Sequence, residues 1–157
     1  KRMMDDYYDR FYNKLAKRSH LLHADNYARA REIVRWKEDT AAKWDSLEVV
    51  KLEFNPNQRM KNSKGREELF GRVVIDRREL QCDLGVECVV VDHDPMNNEQ
   101  QFIESCEFEL VKQEGSLLYF ETSCGLKDPG AHQYGLRIYP KHPDLPHRMD
   151  FAYMRWI

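Results

Sequence analysis

Apolar positions in the first part of the chain recur at steps of three and four residues. These steps are seen at Met4, Tyr7, Tyr8, Phe11, Tyr12 and Leu15, and again at Tyr27, Ala30, Val34, Ala41 and Trp44. Such spacing is typical of amphipathic α-helices, because it places the apolar side chains along one side. We therefore predict two helices, with a bend at Ser19–Asn26 in which Asp25 caps the second helix. One long helix through the bend is the alternative.

After Leu47 the apolar positions change to a period of two, the repeat of a β-strand with one buried face. Seven runs are of this strand type: Val50–Phe54, Leu69–Ile75, Val86–Val91, Phe102–Val111, Leu117–Ser123, Gln133–Tyr139 and Phe151–Trp156. Glu114 and Gly115 supply a hairpin turn, and no helical pattern separates the runs, so the strands should be antiparallel. The polar stretch Asn55–Glu68 is predicted to be a mobile loop.

These patterns predict an α+β fold. A helical segment over residues 1–46 precedes an all-antiparallel, immunoglobulin-like β-sandwich of about seven strands over residues 47–157. The composition changes in the same region, since all seven Gly and all six Pro lie from Pro56 onward. The stretch LKDPGAHQYGLRIY is similar to the turn before the corner tyrosine of many immunoglobulin-like domains, with Asp128 and Gly130 in the turn. His132 occupies the usual place of that tyrosine.

Composition and charge exclude several classes of protein. Hydrophobic residues make up 41% of the chain and aromatic residues 11%, which is too much for a disordered tail. A membrane-spanning helix needs about 20 apolar residues in a row, and the sequence has no such run. The net charge of −2, with both signs interspersed, argues against a nucleic-acid binder. Because the chain starts at Lys1 within a helical pattern, we expect a fragment of a longer protein.

The four cysteines, Cys82, Cys88, Cys106 and Cys124, show no CxxC spacing and fall in or beside strand-like runs. We interpret them as buried, reduced thiols of a cytoplasmic protein, because a chain of this length can fold without disulfides. A disulfide framework is the less favoured alternative.

The densest polar cluster lies in the segment HPDLPH. His142, Asp144 and His147, with His132 and Asp150 nearby, are residue types that bind metal ions. The two prolines, however, force an irregular path, so the two imidazoles of this segment cannot share a helix face. A surface loop between the last two strands is therefore the favoured interpretation. Lys141 and Arg148 make this loop basic, so it could dock on a partner domain.

Aromatic side chains could stack on sugar rings. Trp36 and Trp44 have helical spacing, which favours packing instead. Tyr153 and Trp156 differ by an odd number of positions, so in a strand at most one of them faces solvent. The sequence contains no nucleophile elbow, phosphate-binding glycine run or dinucleotide fingerprint, and we assign no catalytic, cofactor-binding or metal-binding residue.

Two stretches identify a family. FYNKLAKRSHLL with NYARAREIVRWK, and the tail YGLRIYPKHPDLPHRMDFAYMRWI, resemble the C-terminal end of long bacterial α-glucan phosphorylases, including forms fused to a glycogen-synthase-like region. The resemblance implies a parent glycosyltransferase that uses pyridoxal phosphate and inorganic phosphate to release glucose 1-phosphate from α-1,4-glucan. The resembling residues are not the family's catalytic ones, so no cofactor is expected in this chain itself.

Three hypotheses follow from the resemblance. In the first, residues 1–46 are the closing helices of a cytoplasmic catalytic body in the same polypeptide, and residues 47–157 form an accessory domain for bracing or assembly. In the second, the sandwich is a carbohydrate-binding module for glycogen or maltooligosaccharides. The third and weakest hypothesis is that the chain is a small independent enzyme. The candidate docking or glycan-contact residues are Tyr8, Phe11, Trp36, Lys141, His142, His147 and Arg148. In isolation, the N-terminal helices are expected to form a homodimer.

Overall fold

The computed structural model describes residues 12–61, 67–94, 96, 99–125 and 132–157. The chain divides into two compact units between Asp39 and Thr40. In the described part of the chain, no helix is long and apolar enough to cross a membrane.

The helical segment forms one long element, α1 (Asn13–Lys43), in which two helical stretches are joined across a kink. Its backbone is non-helical at Ala24, Asp25, Asn26 and Tyr27, within and just after the predicted bend. Asp25, Asn26 and Tyr27 have positive φ angles of 49°, 55° and 61°. Asp25 thus has left-handed backbone instead of the extended backbone typical of a helix N-cap. Asp and Asn tolerate this conformation better than most residues, which explains a kink at a place without Gly or Pro.

After a short 3-10 helix at Trp44–Ser46, the described residues of the second unit form eight antiparallel strands. They are β1 (Glu48–Lys61), β2 (Glu67–Asp76), β3 (Asp83–Asp94), β4 (Glu99–Glu107), β5 (Glu109–Glu114), β6 (Leu117–Cys124), β7 (Gln133–Lys141) and β8 (Arg155–Trp156). The first sheet has the order β1-β2-β6-β5 and the second has the order β4-β3-β7-β8. The α+β fold with antiparallel strands is therefore confirmed.

The number of strands differs from the prediction because one predicted strand is divided into two strands in the structure. The run Phe102–Val111 is divided at Phe108 into β4, in the second sheet, and β5, in the first. The backbone N–H of Phe108 donates to the carbonyl of Val86 at 2.8 Å, and its side chain is 3% exposed. Period-two alternation continues across such a transfer between sheets, so the pattern did not reveal it.

The prediction that Asn55–Glu68 is a mobile loop is also wrong in part. β1 continues to Lys61 and β2 begins at Glu67, with a register shift between Phe54 and Arg59. A bulge of this kind breaks the alternation of apolar and polar residues while the backbone pairing resumes beyond it. Residues 62–66 lie outside the described part of the chain. The predicted hairpin turn is confirmed, since Gly115 between β5 and β6 has a φ of 60°.

The two sheets pack against each other around an apolar core. The fully buried core side chains include Leu69, Val73, Ile75, Val86, Cys88, Val90 and Ile138. Across the sheets, the rings of Phe54 on β1 and Tyr134 on β7 lie 6.2 Å apart. The Thr122 hydroxyl on β6 donates to the carbonyl of Glu107 on β4 at 3.1 Å.

A disulfide joins the sheets as well, which corrects the prediction of four free thiols. Cys106 on β4 and Cys124 on β6 are bonded, with their Cα atoms 6.3 Å apart. Cys82 and Cys88 are free and buried, as expected. The alternation pattern shows which cysteines are in strands, but it does not show which strands lie opposite each other across the two sheets. That information decides which thiols can be bonded.

Candidate functional site

The candidate site lies on the face of the second sheet that points away from the core. On β3, Val86, Cys88 and Val90 face the core, so the intervening Glu87 points to the opposite side. Its partners in register are Glu107 on β4 and Arg137 on β7, and Arg137 in turn pairs with Trp156 on β8. We call this surface the outer face. It comprises Glu87, Glu107, Arg137, Tyr139, Lys141 and Trp156.

Glu87 is the charged centre of the outer face. Its side chain is 4% exposed, and it forms ion pairs with Arg137 and with Arg148. Burial acts to raise the pKa of the Glu87 carboxyl, but hydrogen bonds from Arg148 and Arg137 outweigh it and hold this pKa below its usual value. Arg148 comes from a 3-10 helix, Arg148–Phe151, that lies beyond the end of β7. The ion pairs therefore anchor the segment between β7 and β8.

Tyr139 and Glu107 form a second polar group beside the first. The Tyr139 hydroxyl donates to Oε1 of Glu107 at 3.0 Å, and Lys141 pairs with the same oxygen. Burial, and then the negative charge of Glu107, raises the pKa of Tyr139. The Arg148 guanidinium lies 5.2 Å from the centre of the Tyr139 ring. The ring covers Gly85, where an added Cβ would come within 2.4 Å of it.

Two open cavities flank Arg148 and Tyr139, which line both of them. The larger, of about 400 Å3, is lined by Asp83, Tyr139, Pro140, Lys141, His142, Pro143, Leu145 and Arg148. The smaller, of about 240 Å3, is lined by Arg137, Tyr139, His147, Arg148, Met149, Ala152, Tyr153 and Met154. Three of the candidates from sequence, Lys141, His142 and Arg148, therefore share one cavity, and His147 lies at the other.

The two histidines of this loop have structural partners. His147 begins the 3-10 helix as its N-cap: its Nδ1 accepts from the N–H of Met149 at 3.1 Å, and its own N–H donates to Asp150 at 3.3 Å. The Nδ1 of His142 accepts from the N–H of Asp144 at 3.2 Å. Among the described residues, no three His, Cys, Asp or Glu side chains are grouped so that they could hold a metal ion. The Nδ1 atoms of His142 and His147 are thus used by the backbone of the loop itself.

Trp156 and Tyr153 are both exposed, at 58% and 39%, so the prediction that at most one of them faces solvent is wrong. Strand alternation does not apply to this pair because β8 begins only at Arg155. Tyr153 stacks on Phe151 at 4.7 Å and meets the buried Trp44 edge-on at 6.0 Å. Trp44 therefore packs in the interior, as predicted from its spacing.

The remaining candidates from the sequence are Trp36, Tyr8 and Phe11. Trp36 lies on α1, half-buried, in the first compact unit. Tyr8 and Phe11 lie outside the described residues. Glu87, Arg137 and Tyr139 were not predicted from the sequence as site residues. A signal was present, because a Glu inside the apolar run Val86–Val91 is a buried charge that requires a partner.

Comparisons with known proteins agree with the resemblance seen in the sequence. Residues 44–157 match the family model described as the glycogen phosphorylase C-terminal domain. The chain is 26% identical over 164 residues to a maltodextrin phosphorylase of Thermococcus litoralis (strain ATCC 51850 / DSM 5473 / JCM 8560 / NS-C), covering 99% of this chain and 18% of that protein. The chain thus spans less than a fifth of the length of this relative. No solved structure matches. Because the family match covers well over half of the chain, the chain belongs to the glycogen phosphorylase C-terminal domain family.

Proposed function

We propose that this chain is a non-catalytic accessory domain of an α-glucan phosphorylase. The parent reaction is phosphorolysis of α-1,4-glucan to glucose 1-phosphate, with pyridoxal phosphate bound by another part of the enzyme. The observation that supports the proposal is the pairing of the outer face. Its central carboxylate is held by Arg137 and Arg148, and Glu107 is held by Tyr139 and Lys141. These groups stabilise the fold, whereas catalysis needs groups that can exchange protons with a substrate.

The free thiols support a non-catalytic role too. Burial raises the pKa of Cys82 to about 11 and that of Cys88 to about 12. Both thiols are therefore protonated near neutral pH, and the thiolate is the nucleophilic form.

The residues at the larger cavity also do not fit pyridoxal phosphate. The lysine at the larger cavity, Lys141, is ion-paired with Glu107, and its side chain is 45% exposed. A lysine that forms a Schiff base is instead activated by desolvation or by a neighbouring cation. The chain is accordingly proposed to bind no cofactor itself.

The proposed partner is the catalytic domain of the same polypeptide. Among the described residues, several large apolar side chains of α1 are exposed, namely Leu15, Leu21, Tyr27 and Val34, and so is Tyr12 just before it. A surface of this kind is typical of a helix that packs on another domain. Residues 1–46 would be the closing helices of the catalytic body, and residues 47–157 an immunoglobulin-like β-sandwich that braces it. The proposed location is the cytoplasm, although the Cys106–Cys124 disulfide would be unusual in a reducing compartment.

Two measurements test this proposal. The purified chain, incubated with pyridoxal phosphate, inorganic phosphate and glycogen, should release no glucose 1-phosphate, and release would contradict the non-catalytic role. Removal of residues 1–157 from the longer phosphorylase polypeptide should lower its melting temperature or disrupt its assembly. An unchanged melting temperature and an unchanged assembly state would contradict bracing.

Carbohydrate binding is a second candidate function, because Trp156 is exposed beside a cavity.

A further inference from the structure

Trp156 is an exposed indole that is nevertheless held in place. Its ring lies over Gly135 on β7, where an added Cβ would come within 2.8 Å of Cζ3. The Arg137 guanidinium lies 5.5 Å from the centre of the ring. A cation near an aromatic ring stabilises it electrostatically. More than half of the side chain still faces solvent, so the indole offers a fixed apolar surface without a further cost in ordering.

Hydrogen-bonding groups lie next to this indole. Arg137 uses Nε for Glu87 and Nη1 for the Met154 sulfur at 3.5 Å, and it also lines the smaller cavity. Arg148, His147 and Tyr153 line the same cavity. At about 240 Å3 the cavity is smaller than the roughly 300–1,000 Å3 typical of sites for drug-sized ligands, so it suits a single ring.

The charged groups of the site are partly paired, and this arrangement is compatible with a neutral ligand. Arg137 and Arg148 share the single carboxylate of the buried Glu87, and Lys141 is paired with Glu107. An anion would have to compete with these carboxylates. A sugar needs no counter-charge: it has an apolar C–H face that can lie on an indole, and a rim of hydroxyls that accept from guanidinium groups.

We propose that the outer face binds α-1,4-glucan, with one glucosyl ring stacked on Trp156 and a neighbouring ring at the smaller cavity. The choice of α-glucan rests on the proposed function, and it is the ligand class that the name of the maltodextrin phosphorylase relative indicates. The bound glucan would be held next to the catalytic domain, which raises the local concentration of chain ends.

Titration calorimetry with maltoheptaose, and native electrophoresis in gels that contain glycogen, test the proposal on the 157-residue chain. Trp156→Ala should weaken binding by about tenfold or more, as truncation of a central aromatic contact does. Trp156→Phe, which keeps a ring, should retain most of the affinity. Phe102→Ala is the matched control, because Phe102 is 60% exposed on β4 and should leave binding unchanged.

Circular dichroism verifies that each variant is folded. If Trp156→Ala unfolds, Trp156→Leu, which keeps an apolar contact with Gly135 but has no ring, replaces it in the comparison with Trp156→Phe. Lack of binding by the wild-type chain, or equal binding by the ring-less variant, would overturn the proposal. Equal glucan binding combined with loss of assembly of the full enzyme would assign Trp156 to a protein contact instead. None of these outcomes changes the phosphorolysis assay of the chain, so the accessory-domain proposal is tested separately.

Discussion

A single charged residue, Glu87, controls how the segment between β7 and β8 is held. The carboxylate is buried in the centre of the second sheet, and its partner Arg148 is 61 positions away along the chain. Removing one member of a buried ion pair leaves the other charges without compensation, and this costs more than the pair contributes. Glu87 is therefore a residue at which a conservative change should have a large effect.

Glu87→Gln should lower the free energy of unfolding by about 2 kcal/mol, because two guanidinium groups lose their counter-charge while the amide oxygen still accepts a hydrogen bond. Urea unfolding followed by circular dichroism measures this difference. The matched control is Glu121→Gln, which removes a partly exposed carboxylate paired with Arg72 on the first sheet. That change should cost less than about 1 kcal/mol. Equal losses for both variants would contradict the structural role of Glu87.

The pH dependence of stability follows from the same carboxylate. Its pKa in the folded protein is below the usual 4.5, so the unfolded chain binds the proton more readily. The stabilisation is present at pH values above 4.5 and is lost as the pH falls through the lowered pKa of the folded state. Unfolding free energies measured between pH 7 and pH 3 should therefore fall less steeply for Glu87→Gln than for the wild type. Parallel curves would show that Glu87 does not carry this dependence.

Among the strands, the transfer from β4 to β5 determines how the two sheets are connected. Phe108→Ala should destabilise the chain by about 3–5 kcal/mol, because it removes a buried ring and leaves a cavity between the sheets. Phe102→Ala removes the same ring from an exposed position on β4 and should change stability by less than about 1 kcal/mol. Chemical unfolding of both variants makes the comparison. A small effect at Phe108 would contradict its place in the core.

The disulfide between β4 and β6 can be tested by mass spectrometry, which counts the thiols that react with an alkylating reagent. Alkylation of the unfolded chain without reductant should add two groups, at Cys82 and Cys88, whereas reduction first should allow four. In the folded chain at pH 8 neither free thiol should react, since both are buried and their pKa values are about 11 and about 12. Four groups without reductant would show that Cys106 and Cys124 are not bonded.

The same disulfide should contribute to stability. It closes a loop between cysteines 18 positions apart, for which loss of unfolded-state entropy corresponds to about 3 kcal/mol. The double variant Cys106→Ser, Cys124→Ser should be less stable by about that amount in urea. Addition of reductant should destabilise the wild-type chain similarly and leave the double variant unchanged. A wild-type chain that is insensitive to reductant would contradict the assignment.

For the chain as a unit, the exposed apolar side chains of α1 and of the preceding Tyr12 predict self-association when the proposed catalytic-domain partner is absent. Sedimentation equilibrium at micromolar concentration should detect dimers or larger species, because apolar burial favours their formation. Tyr12→Ser with Leu15→Ser should shift the equilibrium toward monomer. Val50→Ser, which removes an exposed apolar side chain from β1, is the control and should not. A chain that stays monomeric throughout would contradict the idea that α1 lacks a partner. The Tyr8 and Phe11 positions of the predicted dimer lie outside the described residues.

The local patterns of the sequence determined the class of most elements and the direction of the strands, although they did not reveal that β1 continues into the predicted loop. The three- and four-residue repeat indicated helix up to Trp44, period-two alternation indicated strands, and Glu114-Gly115 indicated a hairpin turn. The family was also readable, because its markers are contiguous stretches. Each of these inferences depends on residues that are near neighbours along the chain, where spacing alone fixes geometry.

Tertiary structure alone decided which distant residues meet. The alternation did not show that the chain changes sheets at Phe108, that Cys106 lies against Cys124, or that Arg148 reaches Glu87. These contacts depend on strand order and register, and a shift of one residue would turn every side chain of a strand to the opposite face. The candidate basic loop was therefore visible in the sequence. Its buried carboxylate partner and the neighbouring exposed indole were defined only when β3, β7 and β8 were placed side by side.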